Sequence, residues 1–568
     1  MTEALHGFSR RRFLSGVAIL GVTPLYSQVA SLPLFNSEKK WTGDNFDEAH
    51  ALQRNPYAVI RHFGPPVDHP DPYDVIVVGG GISGLTVAYK LRDRNILLLE
   101  REQETGGVSK SAEWEGIKYS LGAAYMVHPA PRGEDEIERG SQEDKNLTLL
   151  KELNLEKDWR VASEGDGCVF TNARVVPEEK VYNRDNITFF ETVASHDHFP
   201  SIPPKNKGLV KDLDSVSFKE FLRNPELQQK LYGKTVGAIS SEGWESIEYY
   251  FWGAFGTNTW ETSAYHGLNF FAAEFTKILI FPGGNAFIAK RLAARIRERN
   301  SNIIQTGHYV LEIEPDKEGR GYVVLSYHRG EGQAKDTEKI HRYRARTVVF
   351  ASPLFLAKRI IPRLPTDQVK AIESLDYRSF VVANVLLRRR MNEIFRSDDA
   401  ETDKERRRLR DGYELRRIHD LDVSRYLPDV ISSKGVFSDV VVADFAIRRA
   451  AQHAVLTLYR PYPYAHGRDR LRYLTYDYVE KEIREAVLDG FSAHGLRATD
   501  IVDIRLTRWG HPMIIPRPGQ LTDGSLQTAC RSDNGLFFAH TDVQGAPAIE
   551  NALASAYAAV EGVMKLLG

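Results

Sequence analysis

The chain has 568 residues, enough at roughly 100–200 per domain for more than one folded unit with its own core. Apolar residues make up 42% and charged residues 27%, the balance of an ordinary globular protein and not of a membrane bundle or a disordered chain. With 75 Lys and Arg against 76 Asp and Glu the net charge is −1, which leaves no positive field to draw in nucleic acid, and the two cysteines, Cys168 and Cys530, are too few for a zinc cluster or a disulfide framework.

Ser9-Arg10-Arg11-Arg12-Phe13-Leu14-Ser15 precede a short apolar run broken by Pro24, and Val29-Ala30-Ser31 follow as a candidate cleavage site. The run is shorter than the ~20 apolar residues that span a bilayer. Paired arginines ahead of it predict a twin-arginine export signal over residues 1–31. The expected location is then the periplasm, reached in folded form through the Tat export machinery. Residues 32–70 are polar and end among Pro65, Pro66 and Pro70, so they are expected to be a linker.

Asp74-Val75-Ile76-Val77-Val78 is a β-branched run and predicts a buried parallel strand. Gly79-Gly80-Gly81-Ile82-Ser83-Gly84 follows at once, then a helical stretch from Leu85, then the apolar strand Ile96-Leu97-Leu98-Leu99 ending in Glu100. This is the dinucleotide fingerprint in its proper setting. Gly79 makes the tight turn, Gly81 lets the backbone approach a pyrophosphate beside Ser83, and Gly84 lets helix and strand pack. The helix N-terminus stabilises phosphate charge, and Glu100 accepts from a ribose diol. The fingerprint alone suits NAD and FAD equally.

Further along, Thr105-Gly106-Gly107-Val108-Ser109-Lys110 follows Glu100 closely. Residues 244–275 are dense in aromatics, among them Tyr250, Phe251, Phe255, Phe270 and Phe271, with Glu242, Glu245, Glu248, Glu261 and Glu274 among or beside them. Most of these rings are expected in the core and one or two on a pocket wall, where an aromatic surface suits an amine. Residues 398–429 are crowded with charge and read as a solvated helix or insertion. At the far end, Gly535-Leu536-Phe537-Phe538-Ala539-His540-Thr541-Asp542 reads as a strand, and the loop Val543-Gln544-Gly545-Ala546 leads into an alanine-rich helix over 547–567.

Taken together, strand, glycine turn, helix and Glu100, then Gly106-Gly107, then a C-terminal strand, Asp542 and helix resemble the amine oxidase-type FAD flavoproteins over roughly residues 74–568. Phe281-Pro282-Gly283-Gly284, Val310-Leu311-Glu312-Ile313 and Arg346-Thr347-Val348-Val349-Phe350 also fit. Within that superfamily Phe380-Val381-Val382-Ala383-Asn384-Val385 and Arg508-Trp509-Gly510-His511-Pro512-Met513 look closest to spermidine dehydrogenase-like bacterial proteins.

The resemblance implies an α/β fold in two lobes. The first is a discontinuous, Rossmann-like FAD-binding lobe (71–133, 281–353, 530–568), and the second an α+β substrate lobe (134–280, 354–529). It also implies a non-covalent FAD held by Gly79, Gly81, Ser83, Gly84, Glu100, Gly106, Gly107, Lys110, Val310 and Asp542. Val108 stands where many relatives carry an arginine right after the Gly-Gly pair, and Lys110 is expected to supply that charge instead. Trp509 and His511 would face the flavin as catalytic residues. Val382 stands where many amine oxidases place a lysine, which tilts the expectation from oxidase to dehydrogenase. The implied activity is oxidation of a small amine or polyamine by hydride transfer, with a quinone, cytochrome or oxygen as electron acceptor. Two other readings are a polyene desaturase or isomerase and a non-catalytic flavin-bound protein.

Overall fold

The computed structural model describes residues 40–44, 50, 52, 56–130, 133–162, 168–171, 174–177, 181–317, 319, 321–330, 338–394, 430–432, 435–447 and 451–568. The expected export signal and the charged stretch 398–429 lie outside the described residues. No described helix is long and apolar enough to cross a membrane.

The apolar runs assemble into one sheet. Ile304–Gln305, Ile96–Leu99, Tyr73–Val78, Lys339–Phe350, Tyr322–His328 and His308–Pro315 lie side by side in that order, the first four mutually parallel and each of the last two antiparallel to the strand before it. Successive side chains alternate between faces. Val75, Val77, Leu98 and Val349 point one way; Ile76, Val78, Leu97, Leu99, Val348 and Phe350 point the other. Helices cover both faces, which is why the runs are apolar throughout. Ile82–Lys90, Ala286–Arg299 and Ile549–Leu567 pack on the first through Leu85, Ile296, Leu553 and Val563. Leu354–Ile360, Thr366–Ser374 and Ser525–Ala529 pack on the second through Leu354, Ile372 and Leu526. Helix Gln142–Glu152 also joins the first face through Leu149 and Leu150. The boundaries expected at 133/134, 353/354 and 529/530 therefore pass through this core. The flanking helices bury their apolar faces on the nucleotide-side sheet.

The glycine-turn strand and the C-terminal strand Leu536–Phe538 meet at one strand. Val348 pairs with Ile76 on one side and with Leu536 on the other. The glycine turn after Val78 and the loop after Phe538 thus leave the same edge of the sheet side by side.

A second sheet runs Thr42–Gly43, Ile501–Ile514, Tyr377–Leu387, Ala454–Tyr462, Asp439–Val442, Val430–Ser432, Cys168–Thr171, Arg174–Pro177. One face packs Val381, Val385, Leu456 and Ile504 on helix Tyr476–Phe491 through Val479, Ile483 and Val487. The opposite face turns Phe380, Val382 and Trp509 toward the first lobe, against Val108. A helical body between residues 184 and 273 closes the substrate side around Phe189, Phe221, Phe251 and Phe271.

The described parts of the expected linker are docked on the folded lobes. Thr42–Gly43 adds a parallel edge strand to Ile501–Ile514. Helix Pro56–Phe63 lays Ile60 and Phe63 on Tyr309 and Tyr327, and Val67–Asp68 pairs with Lys339–Phe350. Prolines mark the end of this segment, but the partners that hold it lie hundreds of residues away.

Candidate functional site

Between the lobes lies a cavity of ≈ 880 Å³, within the usual range of roughly 300–1,000 Å³ for ligand sites. The glycine turn shapes one end. Gly79 has φ +113, and a Cβ there would stand 2.5 Å from Ala351 O; a Cβ on Gly84 would overlap the Gly79 carbonyl oxygen. Helix Ile82–Lys90 therefore starts tight against its strand, and no side chain caps it. Its first-turn amide groups are left to serve an anion. The second glycine pair lies back to back with the first: Gly106 N donates to Gly80 O at 2.7 Å, and a Cβ on Gly107 would come within 3.2 Å of Gly81 Cα. Larger residues would fill the space along these loops.

Glu100 is 7% exposed and lines the cavity. Its Oε2 accepts from Gly80 N at 2.6 Å and its Oε1 from Glu102 N at 2.9 Å. The carboxylate is thereby oriented, with lone pairs to spare for a diol. His308 N donates to Glu100 O at 2.8 Å, which brings His308, Tyr309 and Val310 to the same end. Lys110 lines the wall beside Gly106 and has no ion-pair partner among the described residues. Helix Ile549–Leu567 also begins at the cavity with no side-chain cap.

Of the residues singled out from sequence, Gly79, Gly81, Ser83, Glu100, Gly106, Gly107, Lys110, Val310, Trp509 and His511 line this one cavity. Gly84 and Asp542 do not. Gly84 acts through packing. Asp542 is 1% exposed and faces inward: its Oδ2 accepts from Leu354 N at 2.8 Å and Tyr377 OH at 2.6 Å, and its Oδ1 lies 2.9 Å from His540 Nδ1. The cavity wall at that point is His540 and Thr541.

The other end belongs to the substrate lobe. Strand Ile501–Ile514 slips register against Tyr377–Leu387 between the pairs Arg378↔Met513 and Phe380↔Trp509, and the extra residues throw His511 out of the ladder toward the cavity. Gly510 N in that bulge donates to Asp44 Oδ2 at 2.8 Å, and Arg101 pairs with Asp44 Oδ1 at 3.0 Å. The supposed linker thus ties the bulge to the residue after Glu100. The His511 ring lies 4.5 Å from Phe355. Burial, then the charge of Arg468, hold its imidazole at about 4 despite Asp44, well below the ordinary 6.5. His511 is neutral at pH 7, and as a base it is far weaker than a free histidine. Trp509 is 4% exposed and donates its indole N–H to Leu121 O at 2.7 Å, bracing one lobe on the other. Val382 is fully buried beside it, and Cys530 is a free thiol.

The aromatic stretch divides. Phe251, Phe255 and Phe271 are core, while Tyr250 and Phe270 reach the cavity. Of its acids only Glu274 lines the wall, accepting from Tyr250 OH at 3.0 Å; Glu248 caps Thr259 N and Glu261 pairs with buried Arg378. Asp439, His308, Tyr377 and Arg468 line the cavity too and were not singled out, because nothing local in sequence marks them. No group of three or more His, Cys, Asp or Glu suited to a metal ion occurs among the described residues.

A glycine-lined dinucleotide cradle facing an aromatic and acidic pocket across two lobes defines a cofactor-dependent oxidoreductase. Residues 82–564 match the family described as flavin containing amine oxidoreductase. The chain belongs to that family and is an FAD-dependent oxidoreductase. Oxidoreductase PigB of Serratia sp. is 22% identical, over 87% of this chain and 75% of that one. Flavin-containing amine oxidase B of Homo sapiens is 36% identical over 26% of this chain and 28% of its own. The fold matches wild-type putrescine oxidase bound to putrescine (TM-score 0.58, 16% identity, 88% of this chain and 100% of that chain). It also matches cyclohexylamine oxidase from Brevibacterium oxydans IH-35A (TM-score 0.57, 17% identity, 88% and 100%).

Proposed function

We propose that this protein is an amine dehydrogenase, exported to the periplasm by the twin-arginine route, that oxidises small amines, including polyamines, with non-covalently held FAD. The observation that carries the reading is a pocket in which Tyr250, Phe270 and Trp509 supply aromatic wall while Glu274 and Asp439 supply acid. The acids speak against a polyene substrate, which calls for an unbroken apolar tunnel. Names of the relatives and neighbours support amines as the substrate class. Export rests on Arg10-Arg11-Arg12 ahead of a short apolar run. Dehydrogenase is favoured over oxidase because Val382 stands in place of a lysine.

When bound, FAD would supply a two-electron acceptor for hydride from the α-carbon of the neutral amine, and the iminium ion left behind would be hydrolysed by water to a carbonyl compound and the released amine or ammonium. The chain's own work is to bind the amine neutral and oriented. Burial among Phe355, Trp509 and Tyr250 disfavours the ammonium form. Neutral His511 holds the amine by a hydrogen bond and does not take a proton from it. Uncapped amides at the starts of Ile82–Lys90 and Ile549–Leu567 favour negative charge near the cofactor.

The test is anaerobic bleaching of the bound flavin by a panel of monoamines and polyamines; a yellow protein that no amine bleaches would falsify the reading. A second expectation concerns His511. H511A should lower kcat/KM roughly tenfold, the weight of one lost hydrogen bond. H511Q should keep most activity, with a pH profile matching wild type between pH 5 and 8. A limb near pH 6.5 that vanishes in H511Q would instead make His511 a titrating base.

A further inference from the structure

Asp439 opens the strand Asp439–Val442, paired with Tyr459 on one side and Ile431 on the other. It is 8% exposed, yet it lines the cavity. Ser438 Oγ donates to its Oδ2 at 2.6 Å. No lysine, arginine or histidine pairs with it among the described residues. A carboxylate removed from water without a cation is a costly group, and a sheet position of this kind needs no charge to fold.

The neighbouring helix is built to admit it. Helix Ser241–Phe255 passes directly over this acid at Gly253, where a Cβ would overlap Asp439 Oδ2 and stand 2.6 Å from Ser438 Oγ. Three residues earlier on the same face, Tyr250 lines the cavity, with Ala254 and Phe270 beside it. Asp439 therefore stands on an aromatic wall of the substrate side, with one oxygen fixed by Ser438. Burial pushes its carboxyl up to about 7, against the lowering effect of the Ser438 hydrogen bond.

We propose that Asp439, fixed by Ser438 in the recess left by Gly253, anchors a second ammonium group of the substrate, remote from the amine that is oxidised. The enzyme then selects diamines and polyamines over monoamines of the same length. The inference rests on the amine reading above and assigns its specificity to one residue. A terminal ammonium supplies a cation that no described residue provides, and its N–H groups meet the Asp439 oxygen that Ser438 leaves open in a charge-assisted hydrogen bond.

The experiment compares anaerobic flavin reduction by 1,4-diaminobutane and by 1-aminopentane in wild type, D439N and G253A. Melting temperature and flavin content serve as checks of folding. In D439N the ratio of diamine to monoamine kcat/KM should fall roughly 10- to 100-fold, the weight of one charge-assisted hydrogen bond. G253A, which pushes the carboxylate from its recess, should lower the same ratio. A ratio within about threefold of wild type in folded, flavin-loaded D439N overturns the anchor and leaves the amine reading standing. A wild-type flavin that neither amine reduces overturns both.

Discussion

Gly84→Ala should leave the protein almost without flavin. The new methyl would overlap the Gly79 carbonyl oxygen and stand 3.2 Å from Ala351 Cβ, and a methyl has no rotamer by which to escape. Relief requires helix Ile82–Lys90 to lift from the sheet. That would disturb the packing of Leu85 and Val87 in the core and move the uncapped first turn away from the cofactor. Overpacking of this kind costs about 1–3 kcal/mol where the core gives way, and here the obstacle is backbone. We expect flavin per protein to fall at least tenfold, with a lower melting temperature. Gly208→Ala is the contrast: its Cβ meets only Asn206 Oδ1, at 3.4 Å, and flavin content should match wild type. A fully loaded G84A protein would remove the close helix–strand approach from the account of this site.

Asp542→Ala should destabilise the protein by about 3–5 kcal/mol. The side chain joins three segments distant in sequence: the C-terminal loop, the start of helix Leu354–Ile360 and the start of strand Tyr377–Leu387. Its loss strands Leu354 N–H and Tyr377 O–H in a dry interior. Burial by itself raises the Asp542 carboxyl. The charge of His540 and hydrogen bonds from His540, Tyr377 and Leu354 outweigh burial and hold it below the ordinary carboxylate value. A carboxyl lowered in the folded state stabilises above its unfolded value, roughly 4, and loses that contribution as pH falls through its folded value. The gap between wild type and D542A in urea midpoint should thus shrink as pH falls below about 4. Tyr377→Phe, which removes one of the bonds, should cost roughly 1 kcal/mol. If D542A unfolds at the wild-type midpoint, the three-way junction does not hold the lobes together.

The nucleotide end was legible because its chemistry is local. Gly79, Gly81 and Gly84 are spaced by the geometry of one turn, and Glu100 follows at the end of the next strand, so a short window holds the whole motif. The C-terminal strand and helix were legible for the same reason. The role of Asp542 was not, since an acid after a strand looks alike whether it faces a ligand or a neighbouring helix. His511 owes its place to a slip in register between two strands more than a hundred residues apart in sequence, and its depressed basicity to Arg468 and to burial. Neither leaves a trace in the run Trp509-Gly510-His511.

Short-range pattern, then, was enough to determine a dinucleotide-binding turn between a strand and a helix, because strand and turn preferences act over a few residues; the flavin and the two lobes followed from the resemblance to amine oxidase-type flavoproteins. Tertiary structure alone decided that Thr42–Gly43, Pro56–Phe63 and Val67–Asp68 dock on the two lobes, that Asp542 is a brace, and that Asp439 meets Gly253. Those outcomes depend on which distant surfaces exclude water from one another, and a carboxylate carries no local mark of the partner that burial will give it.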